Sequence, residues 1–385
     1  MFNFQYYNPV KIVFGKGTIS ELKNLVPAGS KVLITYGGGS IMRNGVYDQV
    51  KSALADYTVF EFGGIQPNPE YDTLMKAVEL ARSENIDFLL AVGGGSVLDG
   101  TKFIAAAICY DGDDPWDICA QGAEVNRAIP LASVLTLPAT GSEMNSFAVV
   151  SRSSRIQKLH FSSPHVFPKF SILDPESTFS LPHRQVSNGI VDAFVHTTEQ
   201  YLTYDVNAIL QDRQAESILK TLIEIGPLTL TYPTDYDYRA NFMWCATQAL
   251  NGIIGCGVPQ DWATHMIGHE LTAMFGIDHG QSLAVLAPAV WRHQWDNKRS
   301  KLLKYASRVW RIESGYDDEK IESAINKTIE FFKSLGVATT LKEYNIVPEN
   351  FAEIADRLDD RGMILGEHQN IGRKEVMEIL SICAG

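Results

Sequence analysis

Paired thiols and basic tracts are missing from this chain, and its first residues do not have the pattern of a leader. The five cysteines, Cys109, Cys119, Cys245, Cys256 and Cys383, are odd in number and form no Cys-x-x-Cys pair. That argues against a disulfide scaffold, fits a reducing cytoplasm, and leaves the thiols as small core hydrophobes. Acidic residues outnumber basic ones by 45 to 33, a net charge of −12. With no run of Lys and Arg to concentrate positive charge, nucleic acid and anionic membrane are poor partners. Met1 to Pro9 has neither a basic n-region nor an apolar h-region, so no signal peptide is expected. The longest uncharged stretch, Ala240 to Gln260, contains Asn241, Gln248, Asn251, Pro259 and three glycines. It reads as a buried core helix rather than a membrane span.

What remains is ordinary globular material of 385 residues, 45% hydrophobic and 20% charged, enough for two domains. In the first half, strand-like and helix-like stretches alternate. Lys31–Tyr36, Phe88–Val92, Ile129–Leu137 and Phe170–Asp174 are apolar β-type runs, as strands covered on both faces should be. Asn68 and Pro69 read as an N-cap and first-turn pair opening a helix with Leu74, Ala77, Val78 and Ala81 on one face. A second helix is expected through Lys102–Ile108. This alternation predicts a parallel sheet with helices on both sides, a Rossmann-like α/β domain over residues 1–180. Beyond Pro182 strand runs vanish. Ile321, Ala324, Ile325, Ile329, Phe332 and Leu335 form one helical stripe ended by Gly336. Residues 181–385 are therefore expected to be an all-α domain.

Two Gly-Gly-Gly-Ser loops each follow a strand: Gly37, Gly38, Gly39 and Ser40, then Gly93, Gly94, Gly95 and Ser96 with Asp99 just beyond. Glycines at a strand's carboxyl end let backbone N–H groups approach a pyrophosphate, and the next helix presents its positive end to that anion. Glycine loops also make plain tight turns, and the match to Gly-x-Gly-x-x-Gly is only partial. Two of them in one sheet favour a nucleotide. Thr136 to Glu143 is a third strand-end turn, whose Thr136, Thr140 and Ser142 suit ribose or nicotinamide, or else cap a helix. Lys158 joins these cofactor-binding candidates.

Chemistry concentrates in the second half. Asp192 and His196 stand four residues apart, on one face of a helix, and His265, His269 and His279 follow within fifteen residues of each other. A carboxylate plus imidazoles suits Zn²⁺ or Fe²⁺. The alternative leaves ionisable groups buried singly in apolar segments, which is expensive unless one cation satisfies them. Asp192, His196, His265 and His279 make a four-ligand set. His269, open as a ligand, a support or a proton carrier, is assigned to proton transfer or substrate orientation. His160, His165, His183, His293 and His368 read as surface or structural.

These residues carry a resemblance. The chain resembles the iron-containing, group III alcohol dehydrogenases, in particular the butanol dehydrogenase and aldehyde reductase branch. The likeness runs from Phe14-Gly-Lys-Gly17 through both glycine loops, Ala139-Thr-Gly-Ser-Glu143 and Leu173-Asp-Pro175. It continues through Gly189-Ile-Val-Asp192 with His196 and Glu199 to the segment His265–Gly280. Ser187, where a small aliphatic residue is usual, is a minor departure. The resemblance implies ligands at Asp192, His196, His265 and His279, a nicotinamide coenzyme, and at least a homodimer. It implies a metal-dependent NAD(P)H-linked oxidoreductase of small alcohols and aldehydes such as butanol and butanal. Members preferring NAD carry an acid after the first strand. Here Tyr36 to Asn44 has none before Asp48, which removes the barrier to a 2′-phosphate and favours NADP(H) over NAD(H), with Ser40 and Arg43 as partners.

Two other readings stand beside it. Dehydroquinate synthase-like or glycerol-phosphate dehydrogenase-like enzymes share the architecture but handle anions. Between Pro182 and Gly280 the basic residues are few (Arg184, Arg213, Lys220, Arg239) and none adjoins a candidate ligand in sequence. A nucleotide-binding sensor with a structural metal would more often use thiolates, absent here.

Overall fold

The structure, a computed structural model, describes residues 1–385. Two units emerge: Tyr7–Leu181 with Pro233–Thr247, and Met1–Tyr6 with Pro182–Tyr232 and Gln248–Gly385.

The first unit is built on a six-stranded parallel sheet. Its strands are β1 (Lys11–Phe14), β2 (Lys31–Tyr36), β3 (Thr58–Phe62), β4 (Phe88–Gly94), β5 (Leu131–Leu137) and β8 (Phe170–Leu173). They lie in the order β1-β8-β5-β4-β2-β3. A hairpin of β6 (Phe147–Arg152) and β7 (Gln157–Ser162) forms a separate antiparallel pair. The helices are α1 (Leu22–Leu25), α2 (Ser40–Arg43), α3 (Val46–Ala53), α4 (Tyr71–Ser83), α5 (Gly95–Ile108) and α6 (Asp117–Ala120). The sheet is apolar on both faces because both are covered. Leu33, Leu89, Ala91 and Leu131 pack with α4 and α5, while Val32, Ile34, Phe88, Leu90 and Val92 pack with α1 and α3.

From β2 the chain crosses to β3 at one edge, then returns to β4 on the opposite side of β2. That reversal puts a crevice at the carboxyl ends of β2 and β4, where ligands of open α/β sheets bind. Tyr36 pairs with Val92 across the two strands, so the glycine loops that follow them start side by side.

The second unit is helical, with α7 (His183–Tyr201), α8 (Ile209–Thr231), α10 (Ala263–Phe275), α11 (His279–His293), α12 (Trp295–Arg308), α13 (Asp317–Ser334), α14 (Phe351–Asp359) and α15 (Arg373–Ile382). The apolar stripe of Ile321 to Phe332 lies on α13, Leu335 is its C-cap, and Gly336 follows in the left-handed region at φ 76°. No helix is long and apolar enough to cross a membrane. The uncharged stretch from Ala240 is helical only to the end of α9 (Tyr236–Ala249); turns follow.

One local expectation fails. Asn68 and Pro69 do not open α4, which starts at Tyr71 behind an extended Glu70. Asn68 is left-handed at φ 58°, its N–H donates to Ser96 Oγ at 3.2 Å, and Pro69 O accepts from Ser151 N at 2.8 Å. Bonds to β6 and to the start of α5 take the backbone groups that a local cap would have used.

Candidate active site

In the α/β unit the coenzyme candidates gather at one end of the sheet. Gly37, Gly38 and Gly39 follow β2, and Gly39 turns into α2 at φ 85°. Gly93 and Gly94 end β4, and Gly95 opens the fourteen-residue α5. A Cβ at Gly95 would lie 2.5 Å from Thr140 Cγ2, and one at Gly94 2.8 Å from Leu137 Cβ. The turn after β5 therefore lies directly against the loop after β4, and neither glycine tolerates a side chain. Thr140 Oγ1 accepts from Ser142 N at 3.2 Å.

Asp99 and Ser142 are held by each other. Ser142 Oγ donates to Asp99 Oδ1 at 2.6 Å, and Val149 N donates to Asp99 Oδ2 at 3.0 Å. Burial pushes the Asp99 carboxyl up, against the pull of Lys102, the two donors and buried Lys158. These residues tie α5 to the β6–β7 hairpin beneath the loops. Ser40 is exposed after β2, and Thr136 is buried near the end of β5. Lys102 went unmarked in the sequence. It is fully buried, donates to Asn145 O and Oδ1 (2.9 Å each) and Phe147 O (2.7 Å), and burial lowers its pKa to about 8.

In the helical unit the four ionisable side chains converge. Asp192 Oδ1 lies 3.5 Å from His196 Nδ1, 3.7 Å from His265 Nε2 and 3.6 Å from His279 Nε2. All three distances exceed a hydrogen bond. They are close to the edge, about 3.4 Å, of a tetrahedron whose ligands stand roughly 2.1 Å from a central ion. Ligand atoms of Asp192, His265 and His279 lie within 4.8 Å of one another; His196 is outside that mutual group and approaches it through Asp192. His196 Nδ1 and His265 Nε2 are buried without a hydrogen-bond partner, a costly state that one shared cation relieves. The donor set fits a divalent metal.

Three helices bring these groups together. Asp192 and His196 share a face of α7, His265 sits in the first turn of α10, and His279 is the first residue of α11. Asp278 caps α11 with Gln281, accepts from Asn188 Nδ2 at 2.7 Å and pairs with Arg184 at 2.9 Å. Gly268 and Gly280 allow the close approach: a Cβ on Gly268 would meet Ser282 Oγ at 2.9 Å, and one on Gly280 would meet Asn188 O at 2.6 Å.

The imidazoles differ in charge preference. Burial holds His196 down at about 4, helped by neighbouring His265. Burial acts downward on His265 too, but Glu199 and Asp192 outweigh it and hold that ring up at about 9. Without a cation, the carboxylates around His265 draw a proton to it; a metal would take that proton's place. His269 is buried on α10, its ring 5.4 Å from that of His279 and 6.5 Å from that of His265. It stands beside the four-group cluster and outside it. His293 bonds Glu378 and His368 rests on Tyr204, in structural roles.

Sequence reasoning assigned no role to Glu199, named there only within the family likeness, which engages His265, or to Trp262, which precedes α10. Trp262 is left-handed at φ 63°, and its ring meets His265 edge-on at 5.5 Å and His196 at 6.2 Å. A bulky residue at positive φ is a true outlier. Only Glu199 had a sequence signal, lying three residues after His196 on the ligand face of α7.

Comparison with known proteins shows the family. Residues 9–175 match the family model described as iron-containing alcohol dehydrogenase, and residues 186–383 match the carboxyl-terminal Fe-containing alcohol dehydrogenase model. The NADPH-dependent aldehyde reductase YqhD of Escherichia coli K12 is 57% identical over 374 residues, covering 96% of this chain and 97% of that one. The YqhD crystal structure superposes with a TM-score of 0.98 at 55% identity, covering 99% of both chains. The NADH-dependent butanol dehydrogenase A of Thermotoga maritima superposes with a TM-score of 0.96 at 36% identity, over 100% of this chain and 99% of that one. The chain belongs to the iron-containing alcohol dehydrogenase family.

Proposed function

We propose that this alcohol dehydrogenase works as a metal-dependent, NADPH-linked reductase of small, fairly apolar aldehydes such as butanal, and oxidises the matching alcohols in reverse. The observation that carries it is the ring of three imidazole nitrogens 3.5–3.7 Å around Asp192 Oδ1. When bound, a divalent metal supplies Lewis-acid polarisation of a carbonyl oxygen, and reduced nicotinamide supplies hydride. Asp192, His196, His265 and His279 would hold that ion, Zn²⁺ or Fe²⁺ according to supply, since thiolates are absent and affinity order alone favours zinc. Three neutral imidazoles and one carboxylate leave the site with a net positive charge once loaded, which suits developing negative charge on oxygen. His269, its ring 5.4 Å from that of His279, would pass a proton to the product oxygen.

For the coenzyme, the glycine loops would cradle the pyrophosphate and Thr136, Thr140, Ser142 and Lys158 would frame the ribose and nicotinamide. Ser40 and Arg43 are both exposed on α2, just after β2, with no acid before Asp48. An acid there would repel a 2′-phosphate; a guanidinium would bind one. YqhD's name supports NADPH, while the Thermotoga maritima relative is named for NADH. Arg43→Ala should therefore raise KM for NADPH about tenfold, roughly 1.4 kcal/mol of a charge-assisted contact, and leave KM for NADH nearly unchanged. Equal effects on both coenzymes would remove Arg43 from the phosphate site.

A neutral substrate fits the charges near the cluster. Arg184 does come close to His279 through Asp278, but it is 64% exposed and its charge is met by that carboxylate. The test is oxidation of NADPH and NADH by purified protein with butanal, before and after chelation, with Zn²⁺ or Fe²⁺ restored. Turnover removed by chelator and recovered with metal is the expected result. Undiminished turnover after complete metal removal would sink the metal assignment.

A further inference from the structure

Glu199 is 2% exposed and lies on α7, three residues after His196. Both its oxygens face the start of α10. Oε1 accepts from Thr264 N at 2.8 Å and His265 N at 3.3 Å, and Oε2 is hydrogen-bonded to His265 Nδ1. The remaining donor of that first turn, Ala263 N, goes to Asp261 Oδ1 at 3.0 Å. Trp262, the N-cap residue, supplies no side-chain cap, so two carboxylates from outside the helix satisfy its orphan N–H groups.

The two carboxylates differ in one respect. Asp261 Oδ2 pairs with fully buried Lys298 at 2.6 Å, and Lys298 Nζ also donates to both oxygens of Glu367 at 2.8 Å and to Leu202 O at 2.8 Å. Asp261 is thus a structural anchor that touches only backbone on the α10 side. Glu199 alone reaches the imidazole. A carboxylate accepting from Nδ1–H fixes the ring's rotation and its tautomer, leaving the lone pair on Nε2. That Nε2 is the buried nitrogen without a hydrogen bond, 3.7 Å from Asp192 Oδ1.

We propose that Glu199 is the positioning residue of the metal site: it holds His265 with Nδ1 protonated and Nε2 presented to the ion, so it sets metal affinity without touching the metal. The inference rests on the metal reading above. Gln at this position is isosteric but cannot do both jobs. Its oxygen can accept from Nδ1–H or from the helix N–H groups, while its NH₂ must face the other donors.

The experiment measures Co²⁺ and Zn²⁺ dissociation constants by competition with a chromophoric chelator, together with the visible Co²⁺ spectrum. The proteins are wild type, Glu199→Gln, Glu199→Ala and Asp261→Asn, each checked for folding by circular dichroism. The expected result is metal binding weakened about 10–100-fold in both Glu199 variants, with an altered Co²⁺ spectrum in Glu199→Gln. Asp261→Asn should melt earlier yet bind Co²⁺ within about twofold of wild type. Unchanged affinity and spectrum in folded Glu199→Gln overturn the proposal. So does equal loss in Asp261→Asn, which would make the effect a general loosening of α10. Failure of the wild-type protein to bind Co²⁺ or Zn²⁺ at all would instead refute the metal site itself. If Glu199→Ala does not fold, the isosteric variant still decides.

Discussion

Replacing His265 with alanine is expected to abolish butanal turnover and to weaken divalent-metal binding by at least about a hundredfold. Partners that merely orient a ligand are worth roughly 10–100-fold, and His265 is itself one of the four groups. The change also leaves unmet charge. His265 lies between Glu199, which bonds its Nδ1, and Asp192, 3.7 Å from its Nε2. All three are nearly buried. With the ring gone, two carboxylates face a cavity, and an uncompensated buried charge is costly. The metal-free variant should therefore melt below metal-free wild type, and added metal should recover less stability than it does in wild type. Chelator competition, steady-state rates and melting curves check the three effects separately. Wild-type turnover by a folded, metal-depleted His265→Ala protein would overturn the assigned role.

This cluster was legible in the sequence because ionisable residues in apolar segments demand partners, and because Asp192 and His196 stand at helical spacing. The sheet was legible for a similar reason: runs such as Phe88–Val92 are apolar at every position, as only a doubly covered strand needs to be. Where the sequence misled, long-range bonds had overridden a local signal. Asn68 and Pro69 have the chemistry of a helix start, yet their backbone groups are taken by Ser96 and Ser151. The β6–β7 hairpin passed unnoticed because its turn has no Asn-Gly or Asp-Gly pair. Instead it places β-branched Ile156 at φ 50°, where such residues are rare. Pro233–Thr247 belongs with the α/β unit, where Thr247 Oγ1 donates to buried Glu143. Nothing in a helix's periodicity says which core it joins. Glu199 is the same kind of case: its position on the ligand face was visible, but its role depends on where α10 begins.

Gly280→Ala is the second large effect, and its sign is informative. On helix propensity alone alanine should stabilise α11 by up to about 1 kcal/mol. Packing opposes this. The new Cβ would lie 2.6 Å from Asn188 O, 2.8 Å from its Cα and 3.0 Å from its carbonyl carbon. These are backbone atoms of α7, which cannot rotate aside as a side chain could. Relief requires the two helices to separate, at a cost of roughly 1–3 kcal/mol. His279 is the preceding residue, so separation carries its Nε2 away from Asp192 Oδ1, now 3.6 Å distant. It also strains the Asn188–Asp278 bond of 2.7 Å that fixes the start of α11. A displacement near 1 Å in such a site costs on the order of a hundredfold in rate. The expected variant is less stable by that amount, binds metal more weakly and loses about two orders of magnitude in kcat. An alanine variant that melts higher than wild type and keeps full kcat would show that α7 and α11 do not meet this closely. Reduced stability with kcat and metal affinity intact would show instead that the site tolerates the displacement.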